Sequence, residues 1–361
     1  MIGVNLLWLV TGVVGGSEEY TVRLLTALDA DQRLRLYCRR DLVEAHPELA
    51  VRHEIVHPPW TPHSKLDRVV AEHTWLARVS RHDELVHHAG GVVPFVTSTP
   101  TVLTIHDLQP LEMPENFSAP KLAWLRSTLR PSVRRARLVL CPSEFTAGRV
   151  VDLLGGDPDR VVVVPHGHDA PAEPDPVALA AAERFGRYVL LPAIAYPHKR
   201  HVDLIEAVAR VREHQPDLGV VLTGRPGPEL PAVLARANEL GVPVEALGRV
   251  PEAELDALYH RAEALVFPSE YEGFGNPIVE AMTRDCRVVA TTATCLPEVA
   301  GDAAILVEPR DPGALAAAIT TVTTDPGVRD RLIAAGRDRA ARFGWSEAGA
   351  ALAAAYRRVL A

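Results

Sequence analysis

The sequence predicts an α/β protein built from two doubly wound domains with parallel sheets. Three observations carry this expectation. Short apolar runs of strand length alternate with longer helical segments along the whole chain, a pattern that implies parallel sheets covered on both faces. A stretch rich in proline, acidic and small residues, Gly167-His168-Asp169-Ala170-Pro171-Ala172-Glu173-Pro174-Asp175-Pro176, divides the pattern into two halves. The halves also echo one another. Leu138-Val139-Leu140-Cys141-Pro142-Ser143-Glu144-Phe145 resembles Ala264-Leu265-Val266-Phe267-Pro268-Ser269-Glu270-Tyr271, and a helical segment follows each. Two such sheets facing one another would leave a central cleft between the carboxyl ends of their strands, where ligands bind in folds of this kind.

In the first half the apolar runs place strands near Gly3–Leu9, Leu34–Cys38, Glu84–His88, Thr101–Ile105, Leu138–Cys141 and Val161–Val164. Helices lie between them, most clearly Ser17–Leu28 and Thr146–Leu154. In the second half strands are expected near Tyr188–Ile194, Gly219–Thr223, Val244–Leu247, Ala264–Phe267, Val288–Thr291 and Ala304–Val307. Helices are expected at Val202–Glu213, Glu252–His260 and Pro277–Thr283. Two Ala/Arg-rich helices, Arg329–Phe343 and Ser346–Leu360, follow, with Gly344 as a stop and Ser346 as an N-cap.

Composition narrows the functional classes. A chain of 361 residues, 47% hydrophobic and 23% charged, is an ordinary globular protein long enough for two cores. Its net charge of −8 argues against wholesale nucleic-acid binding. Cys38, Cys141, Cys286 and Cys295 have no CxxC spacing and lie in or near apolar segments, so reduced thiols and a cytoplasmic setting are expected. The apolar start lacks a basic n-region and a small-residue cleavage site, and no run reaches the roughly 18 apolar residues of a membrane helix.

The chemistry concentrates in Pro268-Ser269-Glu270-Tyr271-Glu272-Gly273-Phe274-Gly275-Asn276-Pro277-Ile278-Val279-Glu280. An apolar strand runs into a glycine-bearing turn, and a helix is expected to start at Pro277 with Glu280 in its first turn. Such a backbone presents unpaired N–H groups and a positive dipole end, while the glutamates accept hydrogen bonds from hydroxyls. Amides for phosphate beside carboxylates for sugar hydroxyls describe a nucleotide-sugar site. Glu280 would meet ribose and Glu272 the transferred sugar, with the amides of Gly273, Phe274, Gly275 and Asn276 covering sugar and phosphate and Pro277 among the donor contacts as the helix start. The simpler alternative is a dipole-complementing Glu280 beside a solvated Glu272.

The element Glu-Gly-Phe-Gly-x-Pro-x-x-Glu-Ala resembles the donor site of the family-4 retaining glycosyltransferases. Other segments match in order: Gly15-Gly16-Ser17, Thr104-Ile105-His106-Asp107-Leu108, Pro142–Thr146 with Val163–Gly167, Tyr196–His201, and Leu296-Pro297-Glu298-Val299. The resemblance implies the GT-B fold, two Rossmann-like domains. The first, 1–168, would bind the acceptor, with a C-terminal helix at about 346–361 packing back on it, and the second, 169–345, would bind the nucleotide sugar. It also implies a metal-independent retaining hexosyltransferase. The donor would be UDP- or GDP-linked, and the acceptor hydroxyl would belong to a saccharide, a lipid-linked saccharide or a small molecule. No cofactor is implied.

Lys199, just past the first strand of the second half, suits the charge developing on a departing diphosphate. The resemblance makes it a catalytic residue with His106 and Glu272. The family pattern places an arginine a few residues before this lysine, where this chain has Ile194 and Ala195; Arg200 follows it instead. His106, at a strand's carboxyl end, is read as a contact to a sugar hydroxyl and not as the general base, because the departing phosphate takes the acceptor's proton in front-face displacement. Gly15 and Gly16 let the backbone approach a ligand, with Ser17 as the expected helix cap; with His106 and Asp107 they form the expected acceptor site. The spacing Gly12-Val13-Val14-Gly15-Gly16 does not provide GxGxxG. Donor contacts are expected from Gly16, Lys199, Arg200, Thr223, Gly224, Arg249 and Val250 as well as the Glu272–Glu280 segment.

No metal is expected. Asp29-Ala30-Asp31 follows a helix and Asp157-Pro158-Asp159 sits in a turn, unlike a strand-end Asp-x-Asp, and His87-His88 and His198/His201 lack a matching ligand set. Arg126, Arg130, Arg134 and Arg137 follow helical spacing. A solvated face is the default reading, and the alternatives are the inner face of an anionic membrane or an acceptor's phosphate. The rival functions are a phosphorylase or epimerase on the same fold and a nucleotide-sugar binding protein with little turnover.

Overall fold

The computed structural model describes residues 1–12, 15–29, 32–169 and 173–361. Parts of the Gly12–Gly16 loop, of Asp29-Ala30-Asp31 and of the 167–176 linker lie outside these residues. The chain divides into two compact units, one formed by Met1–Gly167 together with Gly344–Ala361 and the other by His168–Phe343.

Among the described residues, the first unit holds a seven-stranded sheet of β1 (Ile2–Asn5), β2 (Leu34–Tyr37), β3 (Glu54–Val56), β4 (Leu85–His88), β5 (Thr101–Thr104), β6 (Leu138–Cys141) and β7 (Val161–Val163). The order is β3-β2-β1-β4-β5-β6-β7, with every pairing parallel. The connections reverse direction between β1 and β4, so the loops after these strands diverge and leave room for a ligand.

The first strand stops at Asn5, short of the expected Leu9. The Asn5 side chain accepts the Leu7 N–H at 3.1 Å and Leu9 N–H turns back to Leu6 carbonyl at 3.0 Å, so a local Asx bond displaces the ladder. Strand β3 was not expected. Its three residues are half-buried at the sheet edge, too few for a two-residue period to register.

Two caps also differ from expectation. Gly15, at φ 75° and ψ −134°, precedes the helix Gly16–Thr26, and Ser17 lies inside its first turn. Gly344 precedes the helix Trp345–Leu360, which leaves Ser346 inside as well. In the first case the backbone enters through a conformation open to glycine alone, so the cap moves two residues upstream.

The helix Trp345–Leu360 belongs to the first unit's core. Ala348, Leu352, Ala353 and Tyr356 join a buried cluster with Tyr20, Leu24, Leu25 and the strand residues Val4 and Leu36. The Tyr356 hydroxyl lies 2.8 Å from His87 Nδ1, and His87 Nε2 lies 2.7 Å from Thr104 Oγ1. Gly349 brings this helix against Ala27 at the end of the helix Gly16–Thr26. A Cβ at position 349 would land on the Ala27 carbonyl oxygen and 2.8 Å from its carbon.

Among the described residues, the second unit's sheet has six strands: β8 (Tyr188–Pro192), β9 (Gly219–Thr223), β10 (Val244–Ala246), β11 (Ala264–Phe267), β12 (Val288–Thr291) and β13 (Ala304–Val307). Its order is β10-β9-β8-β11-β12-β13, all parallel, with the reversal between β8 and β11. Tyr188, Val189, Leu190, Leu265, Val266 and Phe267 are fully buried, as expected for central parallel strands covered on both faces. The helices Leu230–Leu240 and Pro312–Thr324 add to those expected, and the helix expected at Arg329–Phe343 runs Pro326–Ala340, capped by Asp325. No helix among the described residues is long and apolar enough to cross a membrane.

Candidate active site

Parallel strands place all their carboxyl ends on one edge of a sheet, and in the second unit that edge gathers most of the expected residues. Lys199 lies in the loop after β8 and Glu272 in the loop after β11, strands that are neighbours in the sheet. Backbone bonds hold the two loops together: Glu270 N–H donates to His198 carbonyl at 2.8 Å, and the buried Ser269 hydroxyl donates to the same oxygen at 3.2 Å. Lys199 Nζ consequently meets Glu272 Oε1 in a short ion pair, with the ammonium 5.2 Å from the centre of the Phe267 ring. Glu272 is braced from the far side, where its N–H donates to Thr294 Oγ1 at 3.1 Å and its carbonyl accepts the Cys295 thiol at 3.3 Å. Neither Ser269 nor Thr294 was singled out from the sequence, because a hydroxyl that bonds backbone looks like any loop hydroxyl.

The helix after Glu272 runs Asn276–Thr283. Gly275 stands before it at φ 89°, and no side chain caps its first N–H groups. A Cβ on Gly275 would lie 2.7 Å from Leu296, so the loop carries glycine for lack of space as well as for its left-handed backbone. Pro277 has no N–H and Ile278 N–H is bonded to Gly275 carbonyl at 3.0 Å, so the helix start offers the positive end of its dipole more than free donors. Glu280 sits one residue further in than expected, because the helix begins at Asn276, and its first turn holds no acidic residue. It is half-buried and accepts the Tyr259 hydroxyl at 2.8 Å. The Phe274 ring is buried against Phe343, with ring centres 5.5 Å apart.

Two further expected pieces meet on the same edge. Gly224, at φ 111°, donates its N–H to Gly248 carbonyl at 2.8 Å, tying the turn after β9 to the turn after β10. That bond sets Thr223, buried, near the exposed Arg249 and the half-buried Val250. Arg200 has left-handed backbone, at φ 52°. Its guanidinium is engaged twice, bidentate to Asp203 at 2.9 and 2.7 Å and 3.3 Å from Glu270. It braces the loop that carries Lys199.

In the first unit, His106 follows β5, half-buried, and Asp107 is exposed beside it, with Gln109 N–H bonded to its carboxylate. His106 Nε2 donates to Ala89 carbonyl at 2.9 Å, and the ring packs against Trp8 and edge-on to Tyr20 at centroid distances of 5.5 and 5.6 Å. Burial pushes its pKa down to about 4, so it is a neutral Nε2–H tautomer whose Nδ1 is an acceptor. Gly15 and Gly16 are exposed at the start of the helix after β1. His88 and His87 serve the interior: His88 Nδ1 lies 3.3 Å from Asn5, which also bonds the buried Glu72. Arg126, Arg130 and Arg134 are exposed on the helix Ala119–Arg135 and Arg137 just past it. Among the described residues no group of His, Cys, Asp and Glu is arranged to hold a metal ion.

The buried imidazoles make a prediction. Burial lowers the pKa of His87, His88 and His198 to about 3 and of His106 and His201 to about 4, from an ordinary 6.5. The unfolded chain therefore binds these protons first. The stability they permit is complete above pH 6.5 and is lost as pH falls from there toward the folded values. The melting temperature is expected to decline steadily between pH 6.5 and pH 5, before most carboxylates titrate, and calorimetry in buffers of matched ionic strength checks it. A constant melting temperature down to pH 5 would contradict neutral burial.

Comparison with known proteins adds an independent line. Residues 186–339 match the family model described as Glycosyl transferases group 1, and residues 14–172 the one described as Glycosyltransferase Family 4. The chain is 31% identical over 254 residues to the O-antigen chain mannosyltransferase B of Escherichia coli; the match covers 68% of this chain and 66% of that protein. It is 30% identical over 386 residues to D-inositol 3-phosphate glycosyltransferase 1 of Catenulispora acidiphila, covering 97% of this chain and 92% of the relative. Among solved structures, Anabaena HepE in complex with UDP and glucose superposes with a TM-score of 0.80 at 20% identity, over 99% of both chains.

Proposed function

Because the chain belongs to the family-4 glycosyltransferases and has their two-domain GT-B fold, we propose that it is a retaining hexosyltransferase that uses a UDP- or GDP-linked donor without a metal. The acceptor would be a hydroxyl of a saccharide, a lipid-linked saccharide or a small molecule, and the names of the mannosyl- and inositol-phosphate-directed relatives support that range. The observation that carries the reading is the Lys199–Glu272 pair beside an uncapped helix N-terminus at the reversal point of the second unit's sheet.

In this reading the His168–Phe343 unit binds the donor and the other unit the acceptor. Lys199 and the positive dipole end of the helix Asn276–Thr283 take the diphosphate. Positive charge from these two sources replaces what a cation supplies elsewhere. Glu272 accepts from hydroxyls of the transferred sugar and Glu280 from the ribose, while the turns at Thr223-Gly224 and Gly248–Val250 meet the base and ribose. The sugar's C1–O bond to the diphosphate breaks as C1 bonds the acceptor oxygen on the same face, and the acceptor proton passes to the departing phosphate oxygen. His106 is taken to lie beside a sugar hydroxyl; a group with a pKa of about 4 is too weak a base for the proton step. Gly15, Gly16 and Asp107 complete the acceptor side.

A thermal-shift screen with UDP, GDP, ADP and TDP, each with and without EDTA, tests the donor class and the metal independence. A ligand bound only by the folded state raises the melting temperature. UDP or GDP is expected to raise it by several degrees, equally in EDTA, and Glu280→Ala to remove most of the rise. A rise abolished by EDTA would overturn the metal-free claim, and no response to any of the four would overturn the donor assignment.

A further inference from the structure

Glu280 is held by a residue to which the transfer reaction gives no part. Tyr259, in the helix Glu252–Arg261, is completely buried and donates its hydroxyl to Glu280 Oε2 at 2.8 Å. Burial, with the facing carboxylate second, keeps the phenol protonated far above its ordinary range, so it remains a donor at any working pH.

The ring itself is locked. The Arg284 guanidinium lies 5.5 Å from its centre, and Arg284 Nε donates to Asp256 Oδ1 at 2.6 Å. The same guanidinium donates to the Glu280 backbone carbonyl at 3.1 Å. Asp256 and Tyr259 stand three apart on one helix, and Glu280 and Arg284 four apart at the end of the next, so the four side chains interlock across the two elements. Glu280 is gripped at its carbonyl through Arg284 and at its carboxylate through Tyr259.

A free glutamate loses rotamer entropy when it engages a ligand, and a pre-held one has already lost it. A carboxylate offers about four acceptor positions, so one phenol does not exhaust it. We propose that Tyr259 is a positioning residue for ribose recognition: it fixes the Glu280 carboxylate in the orientation that accepts the vicinal 2′ and 3′ hydroxyls of the nucleoside. The inference rests on the assignment of Glu280 to ribose made above. It commits Tyr259 to selecting ribonucleotide over deoxyribonucleotide donors without touching either.

The test measures calorimetric affinities of UDP and GDP and of their 2′,3′-dideoxy counterparts for the wild type, Glu280→Ala and Tyr259→Phe, with the melting temperature of each protein. The expected wild type prefers the ribose form, and Glu280→Ala loses that preference. Tyr259→Phe is expected to bind the ribose form about threefold to tenfold more weakly, the worth of one well-made hydrogen bond, with unchanged affinity for the dideoxy form. A Tyr259→Phe protein that weakens both forms equally, or neither, overturns the positioning role, because a packing residue makes no such distinction. A Glu280→Ala protein that keeps the full ribose preference overturns the assignment of Glu280 itself. Failure of the wild type to bind either diphosphate overturns the proposed function.

Discussion

Lys199→Ala is expected to lower kcat by about 10²–10³-fold, the cost typical of removing one preorganised charge or donor from a transition state. In the proposed reaction the leaving diphosphate gains negative charge as the glycosidic bond breaks, and the lysine is fixed in the proposed diphosphate site. Its ammonium sits between the Glu272 carboxylate and the Phe267 ring, with the lysine side chain 18% and the glutamate 12% exposed. Truncation removes the charge and also leaves a largely buried Glu272 carboxylate without its partner, close to a dianionic ligand. Two losses therefore combine, one in catalysis and one in donor affinity.

They separate in the double variant. Lys199→Ala with Glu272→Gln removes the stranded charge and is expected to recover part of the UDP or GDP affinity while kcat stays low. Lys199→Arg is no conservative control, since a planar guanidinium cannot take the place of a compact ammonium over an aromatic ring and against one carboxylate oxygen. Single-turnover rates at saturating donor make the measurement. A loss of less than tenfold in Lys199→Ala would contradict the role.

Gly349→Ala is expected to destabilise the protein by about 2–3 kcal/mol, as overpacking of a tight contact commonly does. Local reasoning gives the opposite sign. Glycine inside a helix is worse than alanine by about 1 kcal/mol, so the propensity scale alone has this substitution stabilise the helix Trp345–Leu360. The contact decides. The added methyl would meet Ala27 backbone, which cannot swing aside as the end of a flexible side chain can. The helix would have to move off the helix Gly16–Thr26, loosening Leu352 and Tyr356 in the core and the Tyr356–His87 bond with them. Urea unfolding followed by circular dichroism reads the change as a lower midpoint at unchanged slope. A midpoint raised by the substitution would mean that the two helices tolerate a wider spacing.

Much of this was legible in the sequence because the signals are local. Strand length followed by helix length reads directly from apolar runs, and the buried central strands of both sheets fell where those runs lie. Lys199 and Glu272 were legible through the glycine turn and the resemblance together. Their ion pair was not, since the two residues stand 73 positions apart and meet only because β8 and β11 are neighbours in the sheet.

What escaped had weak local signals or a competing partner. Three half-buried edge residues, Glu54-Ile55-Val56, carry no detectable period. The Ala/Thr-rich helix Pro312–Thr324 is apolar nearly all round and has no clear polar face to mark it. Serines at 17 and 346 looked like caps because serine often is one, yet the glycine two residues before each took the place. The bidentate bond from Arg200 to Asp203, three residues later, carried no sequence signal. Tyr259 was hidden by its own chemistry. A buried aromatic on a helix facing a sheet reads as packing, and only the position of its hydroxyl gives it a second meaning.

The division of the chain has a consequence for the order in which it is made. The His168–Phe343 unit is one continuous stretch, and His168 N–H bonds the Phe343 carbonyl where the stretch opens and closes. A ribosome that has released Phe343 has released everything that unit contains. The other unit begins first and finishes last, because its core lacks Ala348, Leu352 and Tyr356 until they emerge. Through most of synthesis its sheet must wait with the apolar surface around Tyr20 and Leu25 uncovered. That interval is when a chaperone has the most to shield, and when slow translation of the middle of the message would do the most harm.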